Sequence, residues 1–127
     1  MNDPVGWSQA PARNVSRKAA EVYPFLEAYI AKKEQQIAEI EQAVERYEKK
    51  RMMEERSYQS MSSFRRILSG KKPDHHLAVE YIHYGKRPME KARALRQDIE
   101  QARRILLDSK PGDEVLLSAE MESEWQF

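Results

Sequence analysis

From Phe25 to Ser69 the chain contains neither proline nor glycine, and its apolar residues recur at three- and four-residue spacing. Leu26, Ile30, Ile37, Ile40, Val44, Tyr47, Tyr58, Met61 and Leu68 fall on one frame, which also collects Lys33, Arg51, Glu54 and Arg65. Such spacing lays one apolar stripe along a helix face and forbids a strand of comparable length. It predicts a single long helix over about 24–68, opened by Pro24, because proline is tolerated in a first helical turn. At 1.5 Å per residue that helix would run roughly 65 Å. That exceeds the width of a small domain, so it is either a rod or broken, and a break would fall at 57–63 (SYQSMSS), where helix propensity drops just after Arg51 and Glu54 enter the stripe.

Turn chemistry divides the rest. Residues 16–23 read as a short helix capped by Asn14 or Ser16 and interrupted by Pro24. Gly70 suits a helix C-cap, Pro73 bars continuation, and Asp74 can cap a new helix over about 74–84. Val, Tyr and Ile in that segment would also permit a strand. The run Gly85–Pro88 reads as its end, and Pro88 as the start of a helix over about 88–108 with Met89, Ala92, Leu95, Ile99, Ala102 and Leu106 along one face. After Pro111-Gly112, the residues Val115, Leu116, Leu117, Met121 and Trp125 lie among acids and fit a short C-terminal helix.

The expected fold class is therefore all-α: an antiparallel helical hairpin, coiled-coil-like, around one long helix. The expected domains are an irregular leader over 1–14, a hairpin over 15–109, and an acidic tail over 110–127. Folding about residue 71 would set Leu95 against Tyr47, Ile99 against Val44, Ala102 against Ile40, Tyr84 against Tyr58 and Tyr81 against Met61. Such a hairpin leaves Phe25, Tyr29, Met52, Met53, Phe64, Ile67, Ile105 and Leu107 beside the seam, in need of another surface.

Composition narrows the chemistry. There is no cysteine, so disulfides, thiolate metal sites and a cysteine nucleophile are excluded. No apolar run approaches the roughly 18–20 residues of a membrane span, and the first fourteen residues have no apolar signal core. A soluble, cytoplasmic protein is expected. The net charge of +1 is unevenly placed: −2 over 1–45, +8 over 46–104 and −5 over 105–127.

No phosphate loop, nucleophile elbow or metalloprotease motif occurs, and neither an enzyme nor a bound cofactor is expected. The leading expectation is a protein-binding or assembly module. It would associate with itself or with a partner helix through Tyr47, Met53, Tyr58, Met61, Phe64 and Trp125, because Met and aromatic side chains grip helices and carry interface energy. The plainer account of the same residues is gap-filling in a helical core. The alternative is nucleic-acid binding by Arg65, Arg66, Lys71, Lys72, Lys86 and Arg87, basic residues with aromatics nearby, weighed against an ordinary solvated charged face. A third reading places a metal on His76, Glu80 and His83, spaced to share one helix face. It needs further carboxylates that the expected pairing does not supply.

Overall fold

The computed structural model describes residues 15–70 and 72–125. The leader over 1–14, Lys71 and the last two residues lie outside them. In chain order the elements are β1 (Ser16–Lys18), α1 (Ala19–Gln59), α2 (Ser63–Ser69), α3 (Asp74–Tyr81), a π-helical turn (Ile82–Lys86), α4 (Arg87–Asp108), β2 (Glu114–Leu116) and α5 (Ala119–Trp125). The all-α class holds, with α1 packed against α4 and one small two-stranded sheet beside them. None of the described helices is long and apolar enough to cross a membrane.

The described residues form two compact units. One comprises residues up to 31 together with those from 100 onward; the other is 32–99.

In the first unit, called here the terminal unit, the helix begins five residues before Pro24 rather than at it. The segment 16–18 is a strand, not part of a short helix, and pairs antiparallel with β2: Ser16 with Leu116, Arg17 with Val115 and Lys18 with Glu114. That ladder brings two backbone carbonyls to the head of α1. Ala19 N donates to Asp113 O at 2.8 Å and Ala20 N to Pro111 O at 3.0 Å. Two of the amides that every helix N-terminus leaves open are thereby satisfied by the chain's own late turn. Pro24 removes one bond to the Ala20 carbonyl, and Ala20 is exposed, so water can serve that oxygen.

The core of this unit is Ala19, Val22, Leu26, Tyr29, Ile30, Ala102, Leu117 and Met121. The C-terminal segment does form a helix, and it covers the off-stripe aromatics. Trp125 meets Phe25 edge to face at 5.0 Å, Phe25 lies 5.8 Å from Tyr29, and Tyr29 Oη donates to Glu120. Tyr23 Oη donates to Ser109 O at 2.9 Å. Arg17 closes the set with a two-pronged bond to Glu122, Nε to Oε2 at 3.0 Å and Nη2 to Oε1 at 2.9 Å. Its guanidinium also sits 4.6 Å from the Trp125 ring centre.

The Arg17 hydrogen bond holds the Glu122 carboxyl below the ordinary glutamate range. A depressed folded-state value contributes stability above the unfolded value, about 4.3, and loses it as pH falls through the depressed one. Acid should therefore release α5. Glu122→Gln is expected to remove that pH-dependent part, read from the Trp125 indole resonance during an acid titration. Identical acid limbs in the two proteins would contradict it.

In the central unit, 32–99, α1 and α4 run antiparallel. Lys33, Ile37 and Val44 are buried on one, Ala92, Leu95 and Ile99 on the other. The register differs from the expected one: Tyr47 stacks on Tyr84, with ring centres 5.8 Å apart, and Arg96 pairs with Glu41. Each contact lies roughly one to three helical turns from the expected partner. The cause is the bend. The long helix stops at Gln59, not near 68, and residues 63–69 form the separate helix α2, so the chain reverses earlier than residue 71. Ser62 caps α2 by accepting from Arg65 N, and Gly70 ends it at φ +70°, a left-handed angle that glycine adopts without a Cβ penalty.

A second difference lies at Gly85–Pro88. The chain does not break there; it passes through a π turn in which Arg87 N donates to Ile82 O. One extra residue in the turn carries the helix up to Pro88, which has no amide to give. Gly85 is buried at this point because aromatic rings close over it. A Cβ would stand 3.1 Å from Tyr81 Cδ1 and 3.7 Å from Tyr47 Cε2.

Candidate protein-interaction site

The central unit is apolar beyond what it buries. Of thirteen large apolar side chains exposed among the described residues, ten belong to it: Met52, Met53, Phe64, Ile67, Leu68, Val79, Tyr81, Ile82, Tyr84 and Met89. Phe64 is 70% exposed, Met53 69% and Ile67 79%. Scattered single exposures are ordinary, so the side chains that share one groove carry more weight than the total.

The stripe of α1 explains where this begins. Its seam positions through Val44 are buried except for half-buried Ile40, and those at Tyr47, Arg51, Glu54 and Tyr58 are all half-buried. Arg51 and Glu54 hold each other, Nη1 to Oε1 at 3.3 Å, so charge replaces apolar cover at those positions. Beyond them Met53, Tyr58, Met61 and Leu77 line an open groove of about 710 Å³, with Arg46, Lys49, Lys50, Arg51, Glu54, Glu55, Ser57, Gly70 and Lys72 completing its wall. A second, smaller recess of about 360 Å³ lies among Ala43, Arg46, Tyr47, Lys50, Glu80 and Tyr84.

Two cations of the expected basic tip fix the groove's frame. Arg66 Nε donates to Tyr58 O at 3.2 Å and its Nη2 to Gln59 O, which serves the open carbonyls at the end of α1. Its guanidinium also lies 5.8 Å from the Tyr58 ring centre. Lys72 reaches Glu80 Oε2 at 2.9 Å and Glu54 Oε2 at 3.6 Å, tying the loop after α2 to α1 and α3. The bond to Glu80 keeps the Lys72 ammonium above its ordinary value, and in return the Glu80 carboxyl is held low.

The expected site residues therefore part company. Met53, Tyr58 and Met61 come together in the groove; Tyr47 stacks at the neighbouring recess; Phe64 stands exposed on α2. Trp125 does not join them, being engaged with Phe25 and Arg17 in the terminal unit. Of the basic set, Arg66 and Lys72 are occupied as described, Arg65, Lys86 and Arg87 are exposed, and Lys71 lies outside the described residues. Of the metal set, Glu80 is taken by Lys72, and no three His, Asp or Glu side chains converge as a ligand group among the described residues. Leu77 and the cations at 46–50 were not singled out by the sequence. The basic spacing of Arg46, Lys49 and Lys50 was the available signal, since it places them side by side on the helix.

Comparison with models of protein families, with curated proteins and with solved structures found no match to the chain.

Proposed function

We propose that this protein is a non-enzymatic interaction module that binds a helix through the central unit, either that of a partner or that of a second copy. The observation that supports the reading is the exposed Met53–Met61 groove with Phe64, Ile67 and Leu68 standing clear nearby. Met and aromatic side chains on a helical groove adapt to an inserted helix, which engages by residues spaced three and four apart.

Electrostatics lean the same way. Glu45, Glu80, Glu114 and Glu122 are each held low, by hydrogen bonds from Lys49, Lys72, Ser16 with Lys18, and Arg17 respectively. A general acid needs the opposite displacement, by apolar burial or a neighbouring like charge. These groups behave as ion-pair members. Photo-crosslinking from position 53 tests the reading: a discrete protein adduct is expected, and its absence contradicts it.

A further inference from the structure

Charge narrows the occupant of the groove; this step rests on the reading just proposed. The lining includes the apolar Met53, Tyr58, Met61 and Leu77, and it carries Arg46, Lys49, Lys50, Arg51 and Lys72 against Glu54 and Glu55. Three of those cations have internal carboxylates: Lys49 with Glu45, Arg51 with Glu54, and Lys72 with Glu54 and Glu80. Arg46 and Lys50 make no ion pair among the described residues, although Lys50 stands near enough to Glu80 to help hold its carboxyl low, and both cations also line the smaller recess. The lining thus combines apolar side chains with two cations that no ion pair neutralises.

A second copy is a poor occupant. In a two-fold contact the same lining would serve both sides, and the unpaired cations Arg46 and Lys50 would meet there only Glu55 as a carboxylate without an ion pair. The chain's own acidic helix, α5, is committed in the terminal unit, where Met121 is buried and Glu122 is bound by Arg17. We infer that the groove takes an amphipathic helix of another protein, apolar along one stripe and acidic beside it. The α1 residues lining the groove, 46–58, extend about 18 Å, room for roughly three turns of such a helix. Apolar anchors at i, i+3 or i+4, and i+7 would enter among the methionines, with Glu or Asp flanking them opposite Arg46 and Lys50.

The test uses two synthetic helical peptides with the same leucine stripe, one flanked by glutamate and the other by lysine. Each is titrated against the full chain by fluorescence anisotropy at low and at high salt. The acidic peptide is expected to bind at least about tenfold more tightly at low salt, with the preference shrinking as salt screens it. The double variant Arg46→Glu/Lys50→Glu is expected to erase the preference while its circular dichroism and urea midpoint stay unchanged. Equal binding of both peptides, sensitive to Met53→Asp, overturns the acidic assignment and leaves an apolar interface standing. Binding of neither peptide, together with a dimer in light scattering that Met53→Asp dissolves, overturns the outside partner in favour of a second copy. Binding of neither by a monomer overturns the inference and the reading beneath it.

Discussion

Leu26→Ala is expected to lower the unfolding free energy by about 2–5 kcal/mol, the range for a buried leucine whose surroundings cannot collapse into the void. Leu26 is 0% exposed, in a core shared with Val22, Leu117 and Met121. That core is framed by fixed features. The β1–β2 ladder and the carbonyls of Pro111 and Asp113 hold the head of α1, and Arg17 clamps α5 through Glu122. With its walls held from several sides, the site has little freedom to close. A domain of this size has only about 5–15 kcal/mol of stability in all, so the loss should show plainly in a urea transition followed by circular dichroism. Leu26→Met, which nearly conserves volume, should cost under about 1.5 kcal/mol. An unchanged midpoint in the alanine variant would contradict the assigned core.

The second large effect separates seam from surface with one kind of substitution. Val44 is 8% exposed and faces the seam with α4 in the central unit; Met53, nine residues further along the same helix, is 69% exposed. Val44→Asp puts a carboxylate at a buried seam position, and a buried charge without a partner costs at least about 3 kcal/mol. Met53→Asp puts the same carboxylate in water and should change stability by no more than about 0.5 kcal/mol. Measured together by urea unfolding, the pair reports whether the apolar stripe changes role between these two positions. Equal costs at both would mean that the groove is closed in solution and that Met53 is core.

Where sequence reasoning held, period and burial coincided. The seam residues Leu26, Ile30, Ile37 and Val44 are buried, as is Lys33, which the frame also placed on the seam, whereas Ile40 is half-buried and Tyr29, off the seam, is buried. On α4 the residues Ala92, Leu95, Ile99 and Ala102 are buried as their spacing requires. Gly70 closes a helix as its conformational freedom suggests. The expectations that failed depended on contacts between distant residues. Ser16–Lys18 and Glu114–Leu116 are three-residue strands, too short for alternation to register, and they form only because they find each other. Pro24 lies inside a helix because tertiary bonds secure the turn before it. Gly85 and Pro88 read as a stop, yet a π turn lets the helix continue, and the aromatic closure by Tyr47 and Tyr81 becomes visible only once the register is known.

The candidate site was half legible for the same reason. Met53, Tyr58, Met61 and Phe64 stood out by residue type, whereas Leu77 joins the groove through the bend at 60–62 and the Lys72 ties. Trp125 shows the limit of residue type as a guide. Its aromatic surface suggested an external partner, and its partners are Phe25 and Arg17 of the same chain.

The most direct measurement of the interaction reading is site-specific photo-crosslinking of the full chain in its source cell, with the reactive side chain placed at position 53 or at position 107. Leu107 is 81% exposed but belongs to the terminal unit and does not line the groove. A discrete adduct from position 53 and none from position 107 is the expected result. Equal labelling from both positions, or none from position 53, would contradict it.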